Sequence, residues 1–150
     1  FEFRSKARRL KIHNDIKIII IDYLQLMNSD RKIDNRVQEV SDISRNMKLL
    51  AKELHVPVIC CAQLSRATES RTEKIPMLSD LRDSGAIEQD ADIVMFLYRD
   101  EYYKDETTDQ SVAEVIVAKN RHGSLDKVKL GWIGRFTKFT NLAEEAQGGN

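Results

Sequence analysis

The sequence predicts an α/β fold in which a mainly parallel sheet is flanked by helices and ends in an antiparallel hairpin. An apolar run without polar alternation at residues 17–27 is typical of a strand that is buried on both faces, and residues 56–64 form a second apolar strand. Between them, apolar residues recur every three or four positions, which indicates an amphipathic helix. Alternating β-prone segments near the C-terminal end predict the hairpin.

The composition indicates one domain without a dominant charge. The 150 residues are 41% hydrophobic, which is enough to form one buried core. There are 24 Lys and Arg residues and 24 Asp and Glu residues, so any contact with a nucleic acid has to be local. The apolar run at residues 18–21 is far shorter than the roughly 20 residues of a membrane span. We therefore expect no membrane association.

The two cysteines and the two termini complete the general prediction. Cys60 and Cys61 are adjacent in a predicted strand, where successive side chains point to opposite faces, so we expect buried free thiols and a cytoplasmic location. Residues 1–142 are expected to form the domain, and the polar residues 143–150 a disordered tail. Because the chain begins without Met, inside a basic helical pattern, we expect a fragment of a longer protein.

A long helix is predicted to begin after Asn35, since Asn35 followed by Gln38 resembles a capping box. With the two flanking strands, this helix forms a βαβ unit. Its predicted apolar face consists of Val37, Val40, Ile43, Met47, Leu50, Ala51 and Leu54.

The second half of the chain is predicted to alternate between loops and strands. Residues 65–77 are charged and lack apolar periodicity, which predicts a long exposed loop. A short helix within residues 78–92 and a third buried strand at residues 92–100 follow. Residues 114–142 are expected to form one more strand and the hairpin, packed by Trp132.

Asp22 and Gln63 each lie at the carboxyl end of a predicted strand, where ligands gather in open α/β sheets. Four apolar residues followed by Asp fit a Walker B element, whose carboxylate helps to hold the magnesium of a nucleotide. On this pattern alone, an acid that caps the following loop is the favoured interpretation. The amide of Gln63 could contact a terminal phosphate or simply bond to backbone, and its position beside the charged loop favours the first role.

Basic residues follow Gln63 in the predicted loop. Arg66, Arg71 and Lys74 share it with acidic residues, so a solvated loop is the ordinary explanation. A structureless segment of this length in a compact domain is nevertheless typical of one that binds or moves.

Two further clusters are candidates for phosphate contacts. Arg82, Asp83 and Gly85 lie close together, where an Arg could bind a phosphate and a Gly lets backbone N–H groups approach another, although helix capping by neighbouring serines competes with this role. Lys119 and Arg121 are two residues apart, so a strand would place both on one face just before a turn. Such a pair commonly solvates an edge strand, but it could also reach an ATP phosphate.

The order of these motifs closely resembles the C-terminal RecA-like domain of DnaB-type replicative helicases, over nearly the whole chain. The run DLRDSGAIEQDAD followed by AKNRHG is the most specific part. The segments that carry the resemblance are KARRLK, IIIIDYLQLM, EVSDISRNMKLLAKELHVPVI, AQLSR, SDLRDSGAIEQDADIVMFLYRDEYY, AKNRHG and TKFTNL.

This resemblance implies an ATP- and Mg²⁺-dependent enzyme whose active site is completed by a neighbouring subunit. Asp22 matches the Walker B aspartate, which would act on Mg²⁺ through water. Gln63 matches the phosphate-sensing glutamine. Lys119 and Arg121 match the pair that reaches in trans into the neighbouring subunit's nucleotide.

The same resemblance implies binding to single-stranded DNA by a homo-hexamer, with a primase and a helicase loader as further partners. Arg82, Asp83 and Gly85 match positions that hold the DNA backbone, although Asp83 replaces a Glu found in many members of the family. The segments after Met27 and after Leu64, the latter including Arg66, Arg71 and Lys74, match loops that line the central channel.

One motif of the family is missing from the chain. None of the six glycines belongs to a G-x-x-x-x-G-K-[ST] loop, and the expected catalytic glutamate is also absent. We therefore expect the isolated chain to lack ATPase activity. Two alternatives remain open: a non-catalytic RecA-like DNA-binding or assembly module, and a recombinase-type RecA-like ATPase, against which the run DLRDSGAIEQDAD argues.

Overall fold

The computed structural model describes residues 2–29, 33, 35–103 and 111–142, apart from the side chains of residues 67 and 82–84. The predicted tail, residues 143–150, lies outside this range. Two compact units are present: the first comprises Phe1–Ala67 and Leu78–Ala91, and the second Thr68–Met77 and Asp92–Asn150. In chain order the elements are α1 (Glu2–Asn14), β1 (Ile19–Ile21), α2 (Arg36–Leu54), β2 (Val58–Cys60), α3 (Ala67–Ser70), α4 (Gly85–Asp90), β3 (Ile93–Tyr98), β4 (Val112–Asn120), β5 (Asp126–Ile133) and β6 (Lys138–Thr140).

The predicted βαβ unit is confirmed. β1 and β2 pair in parallel, with Ile21 opposite Cys60, and α2 connects them. The prediction that the first strand is buried on both faces is wrong, because Ile20 is 65% exposed, and its partner Ile59 in β2 is 44% exposed. The reason is that these two paired residues share a face of the two-stranded sheet that no element of the described residues covers.

Helix α2 is the central element of the first unit, and its predicted start is confirmed. The Asn35 side chain accepts hydrogen bonds from the backbone N–H groups of Val37 (2.9 Å) and Gln38 (3.4 Å), which would otherwise be unpaired at a helix start. Leu50 is fully buried in a cluster at one end of α2. A second cluster forms around Leu24, Val40 and Ile43.

An arginine pair attaches α1 to α2. Arg4 and Arg8 both bind the carboxylate of Glu53, with an Arg4 Nη2 to Glu53 Oε2 distance of 2.6 Å. On the same helix, Ala7 packs with Leu54 of α2 in the cluster that contains Leu50. Two guanidinium groups that donate hydrogen bonds to one carboxylate lower the pKa of Glu53 from 4.5 to about 2, the Arg8 bond having the largest effect.

The second unit is built on an antiparallel sheet with the strand order β3-β4-β5-β6. The predicted hairpin at the C-terminal end is confirmed, and Trp132 packs on Phe139 with ring centroids 4.8 Å apart. The prediction of a third buried strand at residues 92–100 is wrong for one face of that strand, since residues of β3 alternate between exposed and buried. The cause is that β3 belongs to this antiparallel sheet, of which one face is solvated, and not to the parallel sheet.

Two smaller features differ from the sequence prediction. The loop at residues 65–77 contains one short helix, α3. Both cysteines are free, but Cys61 is exposed and only Cys60 is partly buried, with burial raising the pKa of its thiol to about 11. None of the helices in the described part of the chain is long and apolar enough to cross a membrane.

The arginine pair on Glu53 predicts a specific pH dependence of stability. Because the folded state lowers the pKa of Glu53, the contact stabilises fully above pH 4.5 and is lost as the pH falls towards 2. Glu53→Gln should therefore lower Tm at pH 6 and reduce the drop in Tm between pH 5 and pH 3. Thermal unfolding followed by circular dichroism measures both. Glu2→Gln, an exposed glutamate on α1, is the control, and an equal flattening of its pH profile would contradict the assignment.

Candidate functional site

The strand pairing brings Asp22 and Gln63 to one edge of the parallel sheet. Asp22 directly follows β1, and Gln63 comes soon after β2. Beyond the strands, the Cys61 N–H donates to the Ile21 carbonyl (2.9 Å) and the Leu24 N–H donates to the Cys61 carbonyl (2.8 Å). The two chain segments therefore stay paired just beyond the strands, as far as Cys61, next to both polar residues. This carboxyl edge is where parallel α/β sheets bind ligands.

Both side chains are exposed and available to a ligand. Among the described residues, no hydrogen bond or ion pair is made by the carboxylate of Asp22 or by the amide of Gln63. Neither the loop-capping role weighed for Asp22 nor the backbone-bonding role weighed for Gln63 is therefore seen within the described structure. A carboxylate and an amide at one sheet edge can together hold a hydrated cation and a phosphate oxygen.

Gln25, which the sequence analysis did not single out, links the chain segment after Asp22 to Gln63. The Gln25 side chain donates from Nε2 to the Gln63 carbonyl (3.1 Å) and accepts at Oε1 from the Gln63 N–H (3.2 Å). The only feature of the sequence that points to a role for Gln25 is its place shortly after Asp22 in the same segment. The pairing itself depends on residues that are 38 positions apart, and no local pattern reveals it.

Arg82 and Asp83 lie in a 3-10 helix (Leu78–Ser84), and Gly85 is the first residue of α4, which follows it directly. Helix α4 is attached to α2, because the Ser44 hydroxyl donates to the Asp90 carboxylate (3.0 Å) and Ile87 packs against the cluster around Leu24. At Gly85, an added Cβ would meet nothing within 4 Å. The described fold therefore leaves open space beside this backbone.

The basic residues of the loop at 65–77 divide between the two units. Arg66 belongs to the first unit and is exposed. In the second unit, the Arg71 guanidinium donates to the Ile75 carbonyl (2.9 Å) and the Lys74 ammonium donates to the Glu69 carbonyl. Arg71 and Lys74 thus stabilise the loop conformation. Their DNA contacts stay a prediction.

Lys119 and Arg121 do not share a strand as predicted. Lys119 lies in β4, opposite Val94, whereas β4 ends before Arg121. The guanidinium of Arg121 lies 3.4 Å from the Asp92 carboxylate, and the backbone N–H of Arg121 donates to the Asp92 carbonyl. Both side chains are about half exposed, and ion pairs of this kind contribute only about 0–1 kcal/mol. The ion pair with Asp92 therefore adds little to the stability of the fold. The contact of Arg121 with a phosphate stays a prediction.

The strand ends at this point because Asn120 organises the following turn. Its side chain donates to the Ser124 carbonyl (3.3 Å) and accepts from the His122 N–H (3.3 Å). A Cβ at Gly123 would lie 2.6 Å from the Asn120 side-chain amide, so a larger residue there would displace this amide from the turn. Periodicity alone could not locate this side-chain hydrogen bonding.

The described residues contain no cluster of three or more His, Cys, Asp or Glu side chains that could hold a metal ion by themselves. Asp22 offers a single exposed carboxylate. This donor set suits Mg²⁺, which keeps several water ligands and binds through one or two carboxylates together with substrate phosphates.

Comparison with known proteins gives closely similar relatives. The chain is 54% identical over 142 residues to the replicative DNA helicase DnaC of Bacillus subtilis (strain 168), covering 94% of this chain and 31% of that protein. It is 52% identical over 150 residues to the replicative DNA helicase DnaB of Geobacillus stearothermophilus, covering 97% of this chain and 33% of that protein. The chain thus spans about a third of the length of these relatives.

Solved structures and a family model agree with these relatives. A solved structure described as an ATPase domain superposes with a TM-score of 0.87 at 46% identity, covering 94% of this chain and 50% of that one. A structure of a DnaB-like replicative helicase and its interactions with primase also superposes with a TM-score of 0.87 at 46% identity. This match covers 94% of the present chain and 34% of the other one. The model of the DnaB-like helicase C-terminal domain matches residues 1–141. The chain therefore belongs to the DnaB-like helicase C-terminal domain family.

Proposed function

We propose that this chain is part of the RecA-like motor domain of a replicative DNA helicase, which couples ATP hydrolysis to translocation on single-stranded DNA and to duplex unwinding. The observation that carries the proposal is the common sheet edge of Asp22 and Gln63, in a chain that matches the helicase family over residues 1–141. In this proposal, the mainly parallel sheet of a RecA-like domain is completed by other parts of the whole protein.

The proposed nucleotide is ATP with Mg²⁺. Asp22 would hold the hydrated Mg²⁺ and Gln63 would bond to the terminal phosphate, because both side chains are exposed and unengaged by the described residues. Magnesium would neutralise the charge that develops on the phosphate oxygens. The 150 residues contain no G-x-x-x-x-G-K-[ST] loop, so the 150-residue chain alone should not turn over ATP.

The proposed partners follow from the open surfaces and from the family. Single-stranded DNA would contact Arg82, Asp83 and Gly85, where the backbone is accessible, and the loop with Arg66, Arg71 and Lys74. A homo-hexamer would place Lys119 and Arg121 against a neighbour's ATP. A primase and a helicase loader are further proposed partners, the first supported by the solved helicase described with primase. We propose a cytoplasmic location.

Asp22→Asn tests the nucleotide site in the full-length protein that contains this chain. Loss of the carboxylate charge should lower kcat for ATP hydrolysis by about 10²-fold or more, since magnesium holds the reacting phosphates. Asp15→Asn is the matched control. It makes the same change of side chain, but Asp15 lies before β1, at the end of the strand opposite to Asp22. Steady-state ATPase assays measure both variants. Normal hydrolysis by Asp22→Asn would contradict the assignment.

Arg121→Ala tests the predicted trans contact. We expect ATP binding to stay nearly intact while kcat falls by about 10³-fold or more, because an arginine finger stabilises charge in the transition state. Fluorescent-nucleotide titration and ATPase assays separate the two effects, and Arg135→Ala, another exposed arginine of the second unit, is the control.

A subunit-mixing experiment then distinguishes contact in trans from contact in cis. Hexamers assembled from Arg121→Ala and Asp22→Asn subunits contain some interfaces with an intact Asp22 on one side and an intact Arg121 on the other. Partial recovery of hydrolysis is therefore expected on mixing. Absence of recovery in verified mixed hexamers would place Arg121 in its own subunit's site.

Gly85→Ala tests the proposed DNA contact separately from folding. The added methyl group meets nothing within 4 Å, and Ala favours a helix over Gly, so Tm should stay the same or rise. If DNA backbone approaches this position, the methyl group should weaken binding of single-stranded DNA by roughly ten-fold, equivalent to about 1.4 kcal/mol. Fluorescence anisotropy with an oligonucleotide measures this loss. Gly134→Ala is the glycine control, and unchanged DNA affinity in Gly85→Ala would exclude a close approach there.

A further inference from the structure

The backbone at Gln63 lies beyond the last strand pair, where the sheet itself no longer holds it. β2 ends at Cys60, and the last main-chain bonds between the two segments are those of Cys61 with Ile21 and Leu24. Beyond this point, the side-chain amide of Gln25 replaces a neighbouring strand by pairing with both backbone groups of Gln63. Gln25 therefore extends the pairing by one more step.

The chemistry of this contact suits a carboxamide. The side chain of Asn or Gln carries a donor and an acceptor side by side on one planar, uncharged group, which can bond to the N–H and the carbonyl of the same residue. The two bonds orient the peptide groups on both sides of the Gln63 Cα. They consequently restrict the direction in which the Gln63 side chain leaves the backbone.

Gln25 is itself held in place from helix α2. The Arg36 guanidinium donates to the Gln25 carbonyl and to the Met27 carbonyl (3.4 Å), and it forms an ion pair with Glu39. The same Glu39 carboxylate accepts from the Ser29 N–H (2.9 Å). On the other side of Gln25, Leu24 is 1% exposed in the cluster with Val40 and Ile43. The Gln25 backbone is thus fixed both by buried packing and by a charged group.

We infer that Gln25 is a positioning residue for Gln63, held in register by Arg36, and that it sets the direction of the Gln63 amide without contacting the nucleotide. This inference rests on the proposed phosphate-sensing function of Gln63. It adds a connection from the start of α2, through Arg36 and Gln25, to the sheet edge with Asp22.

Gln25→Ala in the full-length hexameric protein is the first test. A misplacement of about 1 Å at a catalytic group costs on the order of 10²-fold in rate, so kcat for ATP hydrolysis with single-stranded DNA should fall at least ten-fold. KM for ATP should change less than about two-fold, since the lost contact acts mainly in the transition state. Gln38→Ala is the matched control, because Gln38 is an exposed glutamine at the start of α2. Size-exclusion chromatography with light scattering verifies the hexamer.

Gln25→Glu provides a second variant of nearly the same shape. Its carboxylate can still accept from the Gln63 N–H, but it places an oxygen against the Gln63 carbonyl. A loss of kcat in this variant is expected from the positioning role, whereas a role in packing alone would leave kcat at the wild-type value. If Gln25→Ala fails to assemble, the kcat of Gln25→Glu decides the question.

Combining the variants with Gln63→Ala distinguishes this inference from the proposed function. If Gln25 acts through the Gln63 side chain, Gln25→Ala should cause no further loss in a Gln63→Ala protein. A further loss equal to that in the wild-type background would overturn the inference. The inference would also be overturned if both Gln25 variants had a normal kcat while the kcat of Gln63→Ala collapsed. The proposed function of Gln63 would stand in that case. Normal hydrolysis by Gln63→Ala would instead overturn the sensing role and the inference with it.

Discussion

The parallel pairing of β1 with β2 is the interaction on which the rest of the candidate site depends. Its register places Ile21 opposite Cys60, so the chain leaves both strands at the same edge. Asp22 and Gln63 lie at that edge because of this register. Since adjacent side chains of a strand point to opposite faces, a shift by one residue would direct the following side chains away from each other. The site therefore depends on backbone hydrogen bonds more than on direct contacts between its polar side chains.

Helix α2 maintains this register from one side of the parallel sheet. Its apolar face forms two clusters, one around Leu50 and one that receives Leu24 from the segment after Asp22. Its polar start contributes Arg36 to the same segment, and its middle holds α4 through Ser44 and Asp90. One helix thus orders the strand ends and the segment proposed to contact DNA. Hydrophobic burial supplies the stability, and hydrogen bonds supply the orientation.

The exposed character of the functional candidates fits a site that is completed by other groups. Asp22 and Gln63 are not engaged by the described residues, and the ion pair of Arg121 with Asp92 is half exposed. A site that formed all its contacts within one chain would leave such groups satisfied. The relatives are about three times as long as this chain, and the proposed partner surfaces belong to that larger assembly.

The sequence by itself determined the elements that have strong local signals and the family. Asn35 and the apolar spacing after it predicted α2, and the isoleucine run predicted β1, because capping and periodicity are local properties of the chain. The ordered motifs identified the family, which the comparisons confirmed.

Only the tertiary structure decided which strands pair, which faces are covered and which distant groups meet. It divided the predicted single sheet into a parallel and an antiparallel sheet, left Ile20 exposed and ended β4 before Arg121. It also brought Gln25 to Gln63, across 38 positions. Each of these outcomes depends on contacts between residues far apart in the chain, about which local propensity and periodicity carry no information.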